Sequence, residues 1–297
     1  MDSADWNNKR MTVPQIVERL RDGMTIGIGG WGGRRKPMAL IREIVRSPLK
    51  DLTVVAYGGP DVGLLCAAGK VKRLVFGFVS LDALPLDLHY RSARQAGAFE
   101  VHELDEGLLQ LGLRAAAMRV AFLPTRVGLA SDVLTYNPWL KTVRSPYEDG
   151  ELLVAMKALR LDVALLHVTE SDALGNCVIR SPDPFFDEVM ARAADRTYIT
   201  CERIGSTQEI CSQDQARYNP FERSLVTGVA EVPFGAHPTA GVPGYGIDVE
   251  HLSRYNAAAG AGWKEYRQQF IDLPDHESYL CAVGGKQRLA GLPAPVF

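Results

Sequence analysis

Apolar residues fall in short unbroken runs separated by stretches with helical spacing, and that alternation sets the expected fold. Val13, Ile16, Val17 and Leu20 recur at helical intervals, which predicts a helix that Asp22-Gly23 ends. Met24–Ile28 reads as a first strand. The run MALIREIV after Pro37 reads as a helix to about Arg46, where Ser-Pro stops it. DLTVVAYGG predicts a second strand, and its continuous apolar Leu52–Ala56 implies burial on both faces, as in a parallel sheet. Gly58, Gly59 and Pro60 turn the chain into a short helix ending near Gly69, and KRLVFGFVS is a third strand. Phe99–Leu104 is strand-like, Leu108–Met118 helical, and RVAFLPTR a strand then a loop. LRLDVALLHVT is the clearest buried strand of the second half. Asp183 to Asp195 is helical, RTYITCERI and LVTGVAEVP are strands, and PFGAHPTAGVPGYG is a loop. Alternating strands and helices with right-handed crossovers predict an α/β fold, an open, mostly parallel sheet with helices on both faces. No repeat or linker divides the chain. Residues 1–297 read as one domain, with a polar N-terminal extension (1–12) and a helical C-terminal region (248–297).

The richest stretch is Met24 to Pro37, MTIGIGGWGGRRKP. Gly29, Gly30, Gly32 and Gly33 follow the first strand, then Arg34, Arg35 and Lys36, and Pro37 opens the helix. Glycines let backbone approach a ligand, and free N–H groups beside three cations suit phosphates or carboxylates. The expected ligand is an anionic acyl-CoA-type molecule. Gly27, Gly29 and Gly32 match GxGxxG, but the second strand ends in Ala56-Tyr57-Gly58 without the acid that would hold a ribose, which argues against a dinucleotide. No GxxxxGK[ST] is present. A tight turn under close packing is the bland alternative for these glycines.

Two further clusters carry candidate chemistry. His102-Glu103-Leu104-Asp105-Glu106-Gly107 lies at a strand end, where open α/β sheets place their sites. Three carboxylates in four positions repel one another, and one buried beside the others becomes a base near neutral pH. The alternative is a solvated strand end whose acids cap the next helix. In Phe122–Gly128, Arg126 stands between Pro124 and Gly128, with Ser131 and Asp132 beyond; it suits a carboxylate or thioester carbonyl, or pairs with an internal acid.

Bulk properties remove other classes. With 46% hydrophobic and 23% charged residues and a net charge of −2, the chain has no basic field for nucleic acid or an anionic membrane. No apolar run is long enough to span a bilayer, and the polar start predicts no signal peptide. Five cysteines without a CxxC pair argue against disulfides and zinc and for a cytoplasmic setting. Six histidines show no HxxxH or HxH spacing, so no metal is expected. No GxSxG elbow occurs.

Taken together, the chain resembles the alpha subunit of the family I CoA-transferases over nearly its whole length. The resemblance rests on the opening Asp22-Gly23-Met24-Thr25 with its glycine loop, the Glu103/Glu106 strand end, and Phe122–Arg126 with Ser131-Asp132. Asp172–Asn176 and Gly235-Ala236-His237-Pro238 also belong to the pattern. The strings GWGGRRKPMALIR, DLTVVAYGGPDVGLLCAAGKVKRLVFGFVSLD and DEGLLQLGLRAAA are similar to a subfamily that opens the last ring of degraded steroids. This resemblance implies a separate beta subunit, an α2β2 heterotetramer and a site at the interface. It implies no permanently bound cofactor; CoA enters as part of the substrate. The implied chemistry is hydration and a retro-Claisen-like cleavage of a cyclic keto-acyl-CoA. Matched by motif, the working carboxylate falls on Glu106, with Glu103 as the fallback. Arg126, Gly128 and Ser131, the loop Gly29, Gly30, Gly32, Gly33, Arg34, Arg35 and Lys36, and Gly58 and Gly59 would bind the substrate. An authentic 3-oxoacid-type CoA-transferase and a non-catalytic CoA-thioester-binding subunit are the competing readings.

Overall fold

The computed structural model describes residues 7–182 and 184–294; residues 1–6 of the polar extension and Asp183, the expected start of a helix, lie outside the described residues. The first half runs α1 (Val13–Val17), β1 (Thr25–Ile28), α2 (Met38–Arg46), β2 (Leu52–Gly58), α3 (Pro60–Ala67), β3 (Val71–Val79), α4 (Leu88–Gln95), β4 (Glu100–Glu103), α5 (Glu106–Ala117) and β5 (Phe122–Thr125). It continues through α6 (Val133–Tyr136), β6 (Lys141–Arg144), β7 (Leu152–Lys157), β8 (Leu161–Ser171), β9 (Cys177–Val178), α7 (Asp187–Ala193) and β10 (Ala194–Ile204). The remainder is α8 (Thr207–Ile210), α9 (Gln213–Ala216), β11 (Val226–Glu231), α10 (Val249–Ala257), α11 (Trp263–Phe270), α12 (His276–Ala282) and α13 (Gly285–Ala290).

The main sheet has the order β11-β10-β8-β1-β2-β3-β4, parallel throughout, with β9 added antiparallel to β8. Side chains alternate across it. Ile26, Ile28, Val54, Ala56, Leu74 and Phe76 face a core with α2, α3 and the C-terminal helices. Val55, Tyr57, Val75, Ala164 and Leu166 face a second core with α5, α7 and β7. Both faces are covered, which is why the strands read as unbroken apolar runs.

From β1 the strand order proceeds through β2, β3 and β4 on one side and through β8, β10 and β11 on the other. The connections leave β1 and β8 in opposite directions. A crevice at the C-terminal ends of such strands is where open α/β sheets hold ligands, and the glycine loop after β1 occupies it.

The hydrophobic pattern did not reveal α4, α6 or the small antiparallel sheet β5-β7-β6. β5 falls within the strand expected in RVAFLPTR, but a strand of four residues such as Lys141–Arg144 carries too little alternation to register. α5 begins at Glu106, two residues before the expected Leu108, because Asp105 caps it by accepting the Leu108 N–H at 2.7 Å.

Candidate active site

The glycine loop is folded onto protein acceptors. Gly29 N–H donates to Leu165 O (2.9 Å), Gly30 N–H to Asp187 Oδ1 (2.9 Å), Gly32 N–H to Tyr57 O (3.2 Å) and Gly33 N–H to Asp82 Oδ2 (3.1 Å). The amides of Arg35 and Lys36 donate to Ala240 O and Thr239 Oγ1. The expected row of free N–H groups is therefore absent here; a tight turn under close packing describes the loop. Gly30 has φ +72°, and a Cβ on it would stand 2.4 Å from Arg34 O.

The three cations divide. Arg34 is half-exposed, 3.3 Å from Asp82 and over the Trp31 ring. Arg35 is buried, bonded to Asp187 Oδ2 (2.5 Å), His167 O and Pro184 O. Lys36 is wholly buried; its Nζ donates to Tyr57 O (2.6 Å) and stands 3.2 Å from Asp61 Oδ2. Burial draws the Lys36 pKa down, and Asp61 opposes that shift. Arg35 and Lys36 thus brace the loop from beneath rather than face a ligand. Gly58 and Gly59 serve the same packing. Gly59 N–H donates to Asp61 Oδ1 at 2.7 Å, and a Cβ on Gly59 would stand 1.9 Å from Gly32 O.

Tyr57 joins this loop to the acid cluster. Its carbonyl accepts Gly32 N–H and Lys36 Nζ, and its hydroxyl donates to Glu106 O at 3.0 Å. Burial pushes the Tyr57 hydroxyl well above its ordinary pKa, with Glu106 adding to the shift, so it acts as a neutral donor. Gly77 of β3 lets the start of α5 come close: a Cβ there would lie 3.2 Å from Glu106 Cα.

The three acids are not buried together. Asp105 is the cap of α5. Glu103 is exposed and ion-paired to Arg94 at 2.5 Å. Glu106 is exposed on the first turn of α5, and its carboxylate has no hydrogen bond or ion pair among the described residues. Of the two candidate carboxylates, only Glu106 is unengaged.

Arg126 follows β5, and its guanidinium is exposed and grips Glu151 with two nitrogens, Nη2 at 2.9 Å from Oε2. The adjoining Val127 reaches the α5 start, 3.3 Å from where a Gly107 Cβ would be. Gly128, at φ +88°, packs on Leu108 and Val133, and Ser131 Oγ donates to Gly128 O at 2.8 Å. The Arg126 backbone thus adjoins Glu106, while its charge is paired with a neighbouring acid.

An aromatic cluster completes the surface, and no sequence motif announced it. Tyr57 stacks on Phe186 (centroids 4.5 Å apart); Phe78 lies against Trp31 (5.7 Å) and Tyr57 (5.9 Å), and Phe185 against Trp31 (5.8 Å). Trp31, Phe78, Phe185 and Phe186 are part-exposed. Phe185-Phe186 beside Pro182 and Pro184 in a polar stretch was the available sequence signal. The strand ends thus present a cluster of mutually tilted, part-exposed rings that the Tyr57 hydroxyl ties to the Glu106 carbonyl, an apolar surface suited to a ring-bearing molecule.

A profile of the coenzyme A transferase family matches residues 10–216. The chain belongs to the coenzyme A transferase family. It is similar to a protein of Mycobacterium tuberculosis named cholesterol ring-cleaving hydrolase IpdA subunit, with 46% identity over 93% of this chain and 97% of that one. The protein of the same name from Rhodococcus jostii is 44% identical over 93% of this chain and 96% of that one. Among solved structures, glutaconate coenzyme A-transferase from Acidaminococcus fermentans superposes with a TM-score of 0.90 at 26% identity, covering 96% of this chain and 95% of that one. Family membership and the open, mostly parallel sheet agree with the expectations from the sequence. Among the described residues no helix is long and apolar enough to cross a membrane, and no group of three or more His, Cys, Asp or Glu could hold a metal ion.

Proposed function

We propose that this chain is the alpha-type subunit of a heteromeric hydrolase that opens a carbon ring of a cyclic keto-acyl-CoA from cholesterol degradation, with Glu106 as general base. The observation that carries the reading is 46% identity over nearly the whole chain to a subunit of that name. The unpaired Glu106 carboxylate, on a residue whose backbone the aromatic cluster's Tyr57 holds, supports it. Glu106 takes a proton from water, and the hydroxide adds to the ring ketone. The C–C bond then breaks, its electron pair moving to the carbon next to the thioester carbonyl, and protonation of that enolate completes the cleavage. Arg126 holds a substrate oxygen after leaving Glu151, an exchange that an exposed ion pair permits at small cost. The glycine loop contributes a rigid shape. CoA arrives with the substrate, and no resident cofactor takes part.

A base this exposed needs a second surface to exclude water, which supports a separate beta-type subunit, in an α2β2 cytoplasmic assembly. The small sheet offers a face for it. Phe122, Pro124, Ala155, Leu153 and Val143 fall on one side of that sheet by register, with Lys157 and Lys141 among them, and Phe122 and Val127 are exposed. The test is co-expression with the product of the adjacent reading frame, followed by assay with cyclic keto-acyl-CoA. Glu106→Ala should lower kcat by roughly 10²–10⁴-fold; a near-wild-type rate rejects the assignment. The TM-score of 0.90 to a transferase supports a second reading, a CoA-transferase. Trapping of a glutamyl-CoA thioester with borohydride decides between the two.

A further inference from the structure

A cavity of about 560 Å³ lies where the N-terminal segment and α1, α2, the ends of β10 and β11, and α12 meet, and it shares no residue with the site around Glu106. Arg42 lines it and is 3% exposed. Its Nη1 donates to His237 O at 2.9 Å, its Nη2 reaches only to 3.5 Å from His276 Nδ1, and its guanidinium lies 3.6 Å from the Tyr279 centroid. No aspartate or glutamate pairs with Arg42 among the described residues, whereas Arg35 and Lys36, the other wholly enclosed cations, each have one; Lys70, at the edge of burial, donates to Ser47 O.

The acids around the cavity are already engaged. Glu43 pairs with Arg46 and Glu277 with Lys286; Glu231 accepts the Ile204 N–H, and Asp275 caps α12. His276 gives no counter-charge either. Its Nε2 is 2.7 Å from Pro233 O, which only accepts, so Nε2 carries the proton and Nδ1 is the lone pair toward Arg42. A buried guanidinium with no counter-anion and with donors unused is unfavourable as it stands. The rest of the lining is mixed: Arg10, Thr12 and Arg46 stand among Met11, Val13, Ala39, Ile204 and Val232. The apolar part accepts a hydrocarbon body, and the guanidinium fork matches a carboxylate.

We propose that this cavity is a binding site for a small apolar carboxylic acid, whose carboxylate Arg42 holds. The site is independent of the Glu106 reading and stands or falls separately from it. The experiment is calorimetric titration of the full chain at neutral pH with cyclohexanecarboxylate and, in parallel, with inorganic phosphate. Saturable one-site binding of cyclohexanecarboxylate is expected, at least tenfold tighter than phosphate. The affinity should fall at least tenfold in Arg42→Gln and in Val13→Trp, which fills the cavity without touching the charge, and should not change in Glu106→Gln. No saturable binding, equal affinity for phosphate, loss in Glu106→Gln, or full affinity in Val13→Trp each overturns the proposal. Should Arg42→Gln fail to fold, Val13→Trp with circular dichroism as the folding control decides alone.

Discussion

Lys36 sits with its ammonium fully enclosed against Asp61 and the carbonyl of Tyr57. Breaking such a pair leaves a buried carboxylate without its counter-charge and takes one of two hydrogen bonds from the Tyr57 carbonyl. Lys36→Met should therefore lower stability by roughly 3–5 kcal/mol, read as a fall in the midpoint of urea unfolding. The double change Lys36→Met/Asp61→Leu should recover part of the loss, since it removes the stranded carboxylate. No recovery would show that the hydrogen bond lost at the Tyr57 carbonyl costs more than the stranded acid. The sequence made the loop legible as a strand, a glycine turn and a helix start. It could not reveal which atoms would take the loop amides. Asp187 is 157 positions from Gly30 and Asp82 is 49 from Gly33, and pairings at that range are set only by the sheet order. Three cations in a row therefore looked like a ligand cradle, when each is answered by an acid from elsewhere in the chain: Asp82, Asp187 and Asp61.

At the scale of elements, helix caps and helix packing set the response to pH. His276 begins α12, and burial pulls its pKa down to about 4 from 6.5, so it is neutral in the folded chain. The unfolded chain binds the extra proton between these values, so this group's stability contribution is lost as pH falls from 6.5 toward 4. Asp87 caps α4, and burial pushes its pKa up to about 7 from 3.8. Its sign is opposite: the folded chain holds the proton in that window, so this contribution grows as pH falls from 7 toward 3.8. Each is on the order of 3–4 kcal/mol at full titration, and they oppose each other. The melting temperature of His276→Asn should fall less between pH 7 and pH 4.5 than that of the unaltered chain, and that of Asp87→Asn should fall more. The opposite ordering would contradict these assignments. The long elements were legible because each has one environment along its length: β2 and β8 are buried on both faces, and α2 has a clean apolar stripe. The three strands of the small sheet are short and mixed, and their pairing depends on partners up to 35 positions away, as between Phe122 and Lys157.

At the scale of the molecule, the main sheet divides the work between its two sides. The side carrying α2 and the C-terminal helices is packed except for the Arg42 cavity, while the small sheet after α5 leaves a row of apolar residues flanked by Lys141 and Lys157 partly uncovered. Leu153→Arg, in the middle of that row, should leave the melting temperature within about 1–2 °C, as for a surface change, while abolishing co-purification with the partner. Retained co-purification would move the docking face elsewhere. The contact between Gly32 and Gly59 has a different consequence. The turns after β1 and β2 meet backbone to backbone: a methyl group on Gly59 would part them, and one on Gly32, at φ +54°, would be strained and would press on the Asp82 carboxylate. Attempts to retune substrate choice by randomising those turns would mostly yield misfolded variants. The productive positions are Trp31 and Phe78, whose part-exposed rings lie beside those turns.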